Sequence, residues 1–555
     1  MRWLAVFSVF VVATAVAGLG RFYGSLAWWL IAAGIGALGC LGVYDLIQTR
    51  HSVTRNYPII GHLRFLLEEI RPEVRQYFVE SNIEGRPFDR ELRDLVYDRA
   101  KGNHGEEPFG TQRDVNAVGY EFVAHSLRAK PKPDGPQPRV RLGGPRCTKP
   151  YDIALLNVSA MSFGSMSGNA IEALNGGAAL GGFAHDTGEG SISKYHRKRG
   201  GDLIMEVASG YFGCRTDDGH FDPDKFAERA RLDQVKAINI KLSQGAKPGL
   251  GGLLPGSKVN AEVAAARGVE VGTTVVSPPA HNAFHTPVEL MEFIEQLRQL
   301  SDGKPVGFKL CIGSKREFLA LCKGMLATDI TPDFIIVDGS EGGTGAGPVE
   351  FEDHVGMPLT EGLMFVHNAL VGVGLREQIK IGASGKVATG IDIVKRICQG
   401  ADFTLAARAM MFAIGCIQAQ KCHTNTCPVG VATQDPARAR ALVVEDKIQR
   451  VYNYQDKTVN SALQIVSSMG LDSFDQLTPR KLFRRVDPQV TMTYHDLFEW
   501  LEHRQLLTHP PEGWHRDWVT ASAETLDPVE VVELLEPIGA DDLETIRREF
   551  PDERD

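Results

Sequence analysis

The chain of 555 residues lacks the features that mark several protein classes. It contains no block or stripe of lysine and arginine, and its formal charge is −9, so nucleic-acid binding is not expected. It contains no G-x-G-x-x-G motif after a predicted strand, which excludes a built-in module for a dinucleotide of the NAD or FAD kind. Cysteine is sparse, and the nine cysteines do not form the even-numbered pattern of a disulfide framework.

Two uncharged apolar runs open the chain, at residues 4–19 and 26–44. Each run is near the lower limit of about 17 residues for crossing a bilayer as a helix. Four basic residues follow the second run, namely Arg50, His51, Arg55 and Arg64. Because basic residues favour the cytoplasmic side, we expect a multi-pass membrane hairpin of two helices, with the catalytic domain in the cytoplasm. A signal peptide and a hairpin buried in protein are the alternatives.

The character of the sequence changes three times along the chain. We place the transmembrane hairpin at residues 1–45 and a helical, loop-rich extension at residues 46–150. Residues 151–435 alternate short strand-like runs with helical ones. Residues 436–555 are predicted to form a helical C-terminal extension, and the periodicity of its acidic end, 524–555, is typical of a solvated amphipathic helix.

Eight short β-rich runs lie in the third of these regions. They are residues 153–160, 180–184, 237–242, 272–276, 306–310, 334–338, 379–382 and 403–406. Most of them end in clusters of glycine, serine or aspartate. Eight strands with intervening helices predict an α/β fold, a (β/α)₈ TIM barrel whose active site lies at the carboxyl ends of the strands. A doubly wound sheet is the alternative.

Small and polar residues follow the predicted strands, as expected where the backbone approaches a ligand closely. The residues predicted to bind a flavin are Ser159, Ala160, Met161, Ser162, Gln244, Lys309, Asp338, Gly339, Gly342, Gly343, Ser384, Gly385, Ala407 and Arg408. The loops after strands seven and eight are the usual phosphate site of a barrel. A buried lysine such as Lys309 suits the N1/O2 side of a reduced isoalloxazine. Lys241 and Lys247, with Gln244, suit the carboxylates of an acidic substrate.

Three of the nine cysteines, Cys416, Cys422 and Cys427, lie within twelve residues of one another. This odd-numbered group indicates metal ligation in a reducing compartment. Its spacing differs from the paired C-x₂-C knuckles of zinc sites and from the four-cysteine run of bacterial ferredoxins. Three thiolates suit a cluster of three irons. A Cys₃His zinc site that uses His423, or three unrelated buried cysteines, are the alternatives.

Six segments together resemble the FMN-binding synthase domain of glutamate synthase. They are residues 159–167 (SAMSFGSMS), 187–190 (TGEG), 241–249 (KLSQGAKPG), 277–279 (SPP), 338–345 (DGSEGGTG) and 415–430 (GCIQAQKCHTNTCPVG). The resemblance covers about residues 150–435. With its apolar hairpin, the whole chain is most similar to the short, stand-alone glutamate-synthase-like flavoproteins.

The resemblance implies an oxidoreductase that makes L-glutamate from 2-oxoglutarate and ammonia. In that family an iminoglutarate forms, reduced FMN converts it by hydride transfer, and a [3Fe–4S] cluster passes electrons to FMN. The implied cluster ligands are Cys416, Cys422 and Cys427. By the same resemblance Glu189 and Lys241 would be catalytic, and Lys247 and Gly249 would bind the substrate.

Two loops depart from the family pattern. His185-Asp186 precedes TGEG where Ser-Asn is usual, and Leu250 and Leu253 stand where acidic and amide residues are usual. Because the chain opens with an apolar run, we expect no amidotransferase domain of its own. Electrons are expected from an external donor, a ferredoxin or a reductase subunit, and ammonia from solution or from a separate amidotransferase.

Three other functions compete with this one. A related amine transfer, such as the formation of N-methylglutamate, would use the same imine reduction. A membrane-tethered electron-transfer flavoprotein would keep the flavin and the cluster without turnover. An IMP-dehydrogenase-like barrel would need a catalytic cysteine in a flexible Gly-Ser loop, and none of the scattered cysteines lies in one.

Overall fold

The computed structural model describes residues 2–103 and 105–527. The chain divides into two units, Met1–Glu91 and Leu92–Asp555, which are described separately. Most of the acidic segment at residues 524–555, predicted to be helical, lies outside the described residues. The division into four regions made from the sequence stays a prediction.

Two apolar helices of 22 residues, Arg2–Tyr23 and Leu26–Ile47, form an antiparallel hairpin in the first unit. They pack closely because Gly39 presents bare backbone to the ring of Phe10. At 1.5 Å per residue each helix is about 33 Å long, which matches the hydrocarbon core of a bilayer. Both are long and apolar enough to cross a membrane, and only 11% and 17% of their most apolar windows are buried. Their length and composition make them candidate membrane spans, as they would a signal sequence.

Shorter helices follow the hairpin. They are Ser52–Asn56, Gly61–Val74 and a π-helical turn at Arg75–Val79, and the helix Arg90–Lys101 begins at the end of this unit.

Eight parallel strands close into a barrel in the second unit. In chain order they are β1 (Leu156–Val158), β2 (His185–Asp186), β3 (Leu203–Val207), β4 (Val235–Lys241), β5 (Val306–Leu310), β6 (Phe334–Asp338), β7 (Lys380–Ser384) and β8 (Phe403–Ala406). Each strand pairs with the next, and β8 pairs with β1, where Leu405 lies opposite Asn157. The predicted TIM barrel is confirmed, and the doubly wound alternative is wrong.

Two of the predicted strands are misplaced and one strand was missed. Residues 180–184 contain the end of a helix, which closes at Gly182 with φ of 63°, and β2 starts only at His185. Residues 272–276 are not in the barrel, because Val275–Val276 pairs with Leu253–Leu254 in a separate hairpin. The missed strand is β3, in which every residue is buried, so it lacks the alternation that marks a strand with one exposed face. Lys241 therefore ends the fourth barrel strand rather than the third.

Helices alternate with the barrel strands. They are Gly168–Gly181, Lys194–Arg197, Pro223–Ala230, Ala261–Arg267, Pro287–Leu300, Lys315–Thr328, Val349–His354, Leu359–Val373, Gly390–Cys398 and Arg408–Ala413, with a 3₁₀ turn at Gly256–Lys258. Polar residues cap several of them. For example, Thr286 and Glu289 form a capping box at the start of Pro287–Leu300, which satisfies backbone N–H groups that have no partner within the helix.

The amino end of the barrel is closed by apolar side chains. Phe334 and Phe403, at the starts of β6 and β8, are fully buried in one cluster with Leu142 and Ile153. The latter two belong to a hairpin that precedes β1. Because this end is packed, a ligand can approach the barrel only at the carboxyl ends of its strands.

Small sheets and C-terminal helices surround the barrel. The sheets are the hairpin of Arg139–Leu142 and Tyr151–Ala154, the hairpin of Leu253–Leu254 and Val275–Val276, and a three-stranded sheet of Glu121–Val123, Leu482–Asp487 and Val490–Thr493. The C-terminal helices are Pro436–Ala439, Val444–Ser468, Tyr494–Leu497, Gln505–Thr508 and Glu512–Thr520, with 3₁₀ turns at Phe474–Gln476 and Pro479–Lys481. The longest packs on Gly168–Gly181, where Gly177 allows Val451 to approach the backbone.

We expect the substitution Asp333→Ala to destabilise the second unit by about 3–5 kcal/mol, because it removes the fully buried carboxylate that pairs with the Arg298 guanidinium and leaves that group only the more exposed Glu295 as an ion-pair partner. Asp333 accepts hydrogen bonds from Arg298 Nε at 3.3 Å and Nη2 at 3.2 Å, and from the Val306 N–H at 2.8 Å. Denaturant unfolding of the purified protein measures the effect. The matched control is Asp302→Ala, which removes an exposed ion pair with Lys149 and should change little. Equal stability of the two variants would contradict this prediction.

Candidate active site

The loops after β1, β6, β7 and β8 meet at the carboxyl end of the barrel. The Ser159 N–H donates to the Ala406 carbonyl at 3.0 Å, and the Ser159 and Ser384 hydroxyl oxygens are 3.3 Å apart. The Gly339 N–H donates to the Ser384 carbonyl at 2.9 Å. Predicted flavin-binding residues from three strands are therefore brought together. Their neighbours along the chain are Ala160, Met161, Ser162 and Gly385.

The loop after β4 joins the same place through Asp338. The Asp338 carboxylate accepts a hydrogen bond from the Gly245 N–H at 3.0 Å. A Cβ atom at Gly245 would lie 1.8 Å from the Gly339 carbonyl oxygen, so only glycine fits there. Gly342 closes the turn after β6, because its N–H donates to the same carbonyl at 2.8 Å. Gln244, which precedes Gly245, is half-buried.

Arg408 provides a buried cation next to the loops after β6 and β8. Its Nη2 donates to the Glu341 carbonyl at 2.7 Å, and its side chain lies against the bare backbone of Gly343. Burial lowers the pKa of Arg408, and the charge of Asp338 opposes that shift. An arginine remains a cation at neutral pH, so Arg408, directly after Ala407, fits the phosphate group of an FMN.

The two residues predicted to be catalytic are in direct contact. Lys241 Nζ lies 2.9 Å from Glu189 Oε2, and the two side chains are only 10% and 16% exposed. Burial opposes ionisation of the carboxyl group, but the positive charges of Lys241 and Arg267 outweigh it and hold the pKa of Glu189 at about 2. At neutral pH Glu189 is therefore a carboxylate held by an ammonium group.

Two further cations adjoin Glu189. Lys247 is buried, which lowers its pKa, and the charge of Glu189 partly offsets that shift. Arg267 is also buried, and its Nη2 donates to the Ser162 hydroxyl and to the Phe163 carbonyl, both at 3.1 Å. Three cations around one carboxylate leave excess positive charge, which suits a ligand carboxylate. Sequence reasoning missed Arg267, since a single arginine at the end of an alanine-rich helix gives no signal.

Glycines in the loop after β4 allow that loop to cover Glu189. A Cβ atom at Gly252 would lie 2.0 Å from Glu189 Oε1, and one at Gly251 would lie 1.7 Å from the Ser277 carbonyl oxygen. Gly249, predicted to bind substrate, lies at an exposed part of this loop with φ of 78° and open space around its Cβ position. The loop thus buries Lys247 and leaves Gly249 in solvent, and the substrate-binding role of both stays a prediction.

Lys309 lies among buried carboxyl groups inside the barrel. Its Nζ donates to Glu206 Oε2. Asp186 lies nearby and accepts hydrogen bonds from Asn239 Nδ2 at 2.9 Å and from the Gly188 N–H at 3.0 Å. Burial and the charge of Glu206 raise the pKa of Asp186 to about 7, although Lys309 opposes this. Two carboxylates with one ammonium retain a proton near neutral pH. Sequence reasoning missed Glu206, although a glutamate in an apolar run was an available signal.

The three clustered cysteines share one electrostatic environment. Burial and the nearby Cys422 and Cys427 raise the pKa of Cys416 to about 12. Lys258, which sequence reasoning missed, is buried against this loop, and its Nζ donates to the Cys422 carbonyl at 2.8 Å. The Tyr97 hydroxyl fixes the loop from another side by donating to the Cys416 carbonyl at 2.7 Å. Three neighbouring thiols with a buried cation beside them fit the negative charge of an iron–sulfur cluster.

A single-ion site is not formed by these residues. Among residues 2–103 and 105–527, no three histidine, cysteine, aspartate or glutamate side chains converge closely enough to hold one metal ion. His423, the fourth ligand of the zinc alternative, is exposed. Zinc would draw four ligands to within about 2.0–2.3 Å of one point, so the geometry goes against that alternative. A cluster with one thiolate for each iron does not require such convergence.

We expect the substitution Asp186→Asn to reduce the dependence of stability on pH. Because the folded-state pKa of Asp186 is about 7 and its ordinary value is 3.8, the folded protein retains a proton that the unfolded chain has released between these values. Stability is therefore lost as the pH rises through this window. The amide is neutral at every pH, and the unpaired Asn239 Oδ1 could accept a hydrogen bond from it.

The measurement is the unfolding temperature of the wild-type and substituted proteins at pH 5 and pH 8, where the variant should lose about 1–3 °C less on going to pH 8. Asp233→Asn, at an exposed aspartate just before β4, is the matched control and should behave like the wild type. If Asp186→Asn lost as much unfolding temperature between pH 5 and pH 8 as the wild type does, the buried, proton-sharing arrangement would be contradicted.

The family described as a conserved region in glutamate synthase matches residues 146–472. The glutamate synthase large subunit-like protein YerD of Bacillus subtilis is 38% identical over an alignment of 484 positions, which covers 80% of this chain and 92% of the relative. An archaeal-type glutamate synthase (NADPH) of Thermotoga neapolitana is 33% identical over 320 residues, 58% of this chain, and only 60% of that relative is covered. Among solved structures, a mandelate oxidase with (S)-4-hydroxymandelic acid is similar to this chain, with a TM-score of 0.40 and 15% sequence identity. The matched part covers 73% of this chain and 97% of the oxidase. This similarity is too distant to carry information about the substrate. Because the family match covers more than half of the chain and YerD is 38% identical over most of both proteins, the chain belongs to the glutamate synthase family.

Proposed function

We propose that this chain makes L-glutamate by reductive amination of 2-oxoglutarate with ammonia, using two electrons from an external donor. Two electrons and two protons are consumed, and the carbonyl oxygen leaves as water. The observation that carries the proposal is the buried Glu189–Lys241 pair, flanked by Lys247 and Arg267, at the open end of a barrel of the glutamate synthase family.

The charges around Glu189 support a substrate with two carboxylates. Lys241, Lys247 and Arg267 supply three positive charges around the carboxylate of Glu189. The charge of Glu352 also acts on Lys247, which still leaves the cations in excess. Burial strengthens the attraction between these cations and a carboxylate, because water screens it less. A dicarboxylate such as 2-oxoglutarate would neutralise the excess, whereas a neutral ketone would leave it unbalanced.

Glu189 and Lys241 are suited to the proton transfers of imine formation. Ammonia must lose a proton after it attacks the carbonyl carbon, and the carbonyl oxygen must gain protons before it leaves. Glu189 is ionised at neutral pH, and it can accept the first proton once the substrate carboxylates neutralise the cations that hold its pKa low. The Lys241 ammonium, at 2.9 Å from Glu189, can donate a hydrogen bond to the oxygen. The covering loop, with Gly252 against Glu189, keeps bulk water from the reacting atoms.

The residues at the strand ends fit FMN, which when bound supplies a hydride to the imine carbon. Arg408 would hold the phosphate, with Gly343 providing the bare backbone against which its side chain lies. Ser159 and Ser384 would present hydroxyl groups to the ring system. Lys309 would place positive charge next to the ring system, and the buried Glu206 would offset part of that charge.

The cysteine loop would hold a [3Fe–4S] cluster that receives electrons from a ferredoxin or a reductase subunit. Cys416, Cys422 and Cys427 supply one thiolate for each iron, and Lys258 offsets part of the negative charge. The loop begins right after the helix Arg408–Ala413, so the cluster would lie close to the flavin phosphate.

The apolar hairpin would anchor the enzyme to a membrane with the barrel in the cytoplasm. Its two helices have the length and composition of membrane spans, and most of their apolar surface is exposed. A partner that delivers electrons would then meet the enzyme at the membrane surface.

A small alkylamine is a second candidate for the nitrogen donor. Leu250 and Leu253 are 38% and 46% exposed on the loop that covers Glu189, where the family usually has an acidic and an amide residue. An apolar rim at this position favours an amine that carries a methyl group over ammonia. The product with methylamine would be N-methylglutamate.

We expect the substitution Glu189→Gln to lower the rate of glutamate formation by about 10²–10³-fold, because it removes the proton acceptor and leaves Lys241 without its partner. The measurement uses anaerobically purified protein, reduced with dithionite and supplied with 2-oxoglutarate and ammonia or methylamine. Mass spectrometry identifies the amino-acid product. Glu270→Gln, an exposed carboxylate beyond the same helix as Arg267, is the matched control and should keep full activity.

The two amines separate the two candidate reactions. Faster turnover with methylamine would favour N-methylglutamate as the product. If the wild-type protein contains flavin and cluster but forms no product with either amine, the synthase proposal fails and an electron-transfer role is favoured.

We expect the substitution Cys422→Ser to abolish the electron paramagnetic resonance signal of the oxidised cluster while the flavin absorbance remains. A hydroxyl is a poorer iron ligand than a thiolate, and two remaining thiolates would not hold three irons. Cys147→Ser is the matched control, since Cys147 lies at the amino end of the barrel next to the Gly303 carbonyl. An unchanged cluster signal in Cys422→Ser would contradict the assignment of Cys422 as an iron ligand.

A further inference from the structure

The helix that follows the membrane hairpin has an apolar face that no described residue covers. We define its apolar stripe as Leu63, Leu66, Leu67, Ile70, Val74 and Phe78. These side chains are between 42% and 85% exposed. They recur every three or four residues along Gly61–Val74 and the π-helical turn Arg75–Val79, so they fall on one side of the helix. Exposure of so continuous an apolar surface is unusual for a face that meets water.

The start of this helix is fixed to one end of the hairpin. Asp45, in the last turn of Leu26–Ile47, is fully buried, and its carboxylate accepts a hydrogen bond from the Ile59 N–H at 2.8 Å. His62 Nε2 lies 2.8 Å from the other carboxylate oxygen. The Ile59 side chain also packs on Gly42: a Cβ atom added to Gly42 would lie 3.2 Å from the Ile59 side chain. The helix thus begins at the level of Asp45.

That end of the hairpin corresponds to the boundary between hydrocarbon and headgroups. The hairpin is about 33 Å long, so its two ends lie near the two faces of a bilayer. Polar groups collect at this end, where Arg2 Nη1 donates to Asn56 Oδ1 at 3.0 Å and Asp45 is buried beneath His62. A helix that starts at this level with one apolar and one charged face lies in the plane of the interface.

Charged residues beside the stripe have the arrangement that an interfacial helix needs. Arg64 and Glu68 form an exposed ion pair at 2.8 Å, and Arg71 and Arg75 are exposed farther along. Long arginine side chains can reach phosphate groups while their stems lie over apolar surface. The polar face would therefore remain at the headgroups while the apolar stripe enters the acyl boundary.

We propose that the apolar stripe docks into the lipid interface of the same membrane that the hairpin crosses, so that residues 61–79 form an interfacial helix. This proposal rests on the proposed membrane anchoring and adds a second point of contact to it. A bilayer is favoured over a protein partner because the chain itself delivers the helix to the boundary through the Asp45 contacts. These hydrogen bonds fix the level at which the helix begins, and its apolar stripe with charged residues beside it favours an orientation along the boundary.

The test introduces the photoreactive residue benzoylphenylalanine at single positions of the full chain. The stripe position is Leu67, the matched control is Glu69 on the same helix away from the stripe, and Leu30 in the hairpin reports membrane anchoring. Each protein is reconstituted into vesicles of phosphatidylcholine and phosphatidylglycerol, irradiated and analysed by mass spectrometry. All three sites are exposed, and a single symmetric peak in size-exclusion chromatography confirms folding before reconstitution.

We expect lipid adducts at Leu30 and Leu67, with at least about five-fold less at Glu69. Adducts at Leu30 without adducts at Leu67 would overturn the interfacial helix and leave the anchoring intact. Cross-links from Leu67 to protein, either a second copy or another subunit, would also overturn it. No lipid adduct at either Leu30 or Leu67 would overturn both the interfacial helix and the membrane anchoring.

Discussion

Eight short strands, some of only two or three residues, form a continuous hydrogen-bonded wall because β8 pairs back onto β1. In a closed barrel no strand edge is left unpaired, so even the two residues of β2 have neighbours on both sides. Closure also fixes which surface can bind a ligand. Phe334, Phe403 and the hairpin before β1 fill the amino end, so the carboxyl ends of the strands and the loops that leave them must provide the ligand-binding groups. Residues far apart in sequence, such as Ser159 and Ser384, meet there for this reason.

The barrel holds two groups of buried charge with opposite balance. At the open end, cations outnumber the carboxylate of Glu189, whose pKa is held at about 2. Inside the barrel, carboxylates outnumber the ammonium of Lys309, and the pKa of Asp186 is raised to about 7. Asp186 and Glu189 are three residues apart in the sequence, and the difference between their pKa values comes from the charges and the burial around each carboxyl group. Such separation of pKa values is typical of sites that carry out acid–base chemistry.

Residue type and spacing along the chain were enough to predict several features. The bunched cysteines, the glycine-rich strand ends and the apolar N-terminal runs are local patterns that can be interpreted without coordinates. The expected roles of Glu189 and Lys241 came instead from the resemblance to glutamate synthase. Local pattern failed at β3, where burial on both faces removes alternation, and at Val275–Val276, where a β-rich run pairs outside the barrel. A strand's neighbours, rather than its own composition, decide whether it belongs to the barrel.

By itself the sequence determined the fold class, the family and the grouping of three cysteines, because each depends on residues close together in the chain or on the number and order of strands. Only the tertiary structure decided that Arg267 lies near enough to Glu189 to lower its pKa, that Glu206 pairs with Lys309, and that Lys258 is buried beside the cysteine loop. The residues of these three pairs are between 78 and 164 positions apart in the sequence. Electrostatic energy depends on distance and burial in space, and one sequence does not state either quantity. The excess of positive charge at the open end, on which the choice of a dicarboxylate depends, is for that reason a property of the folded chain alone.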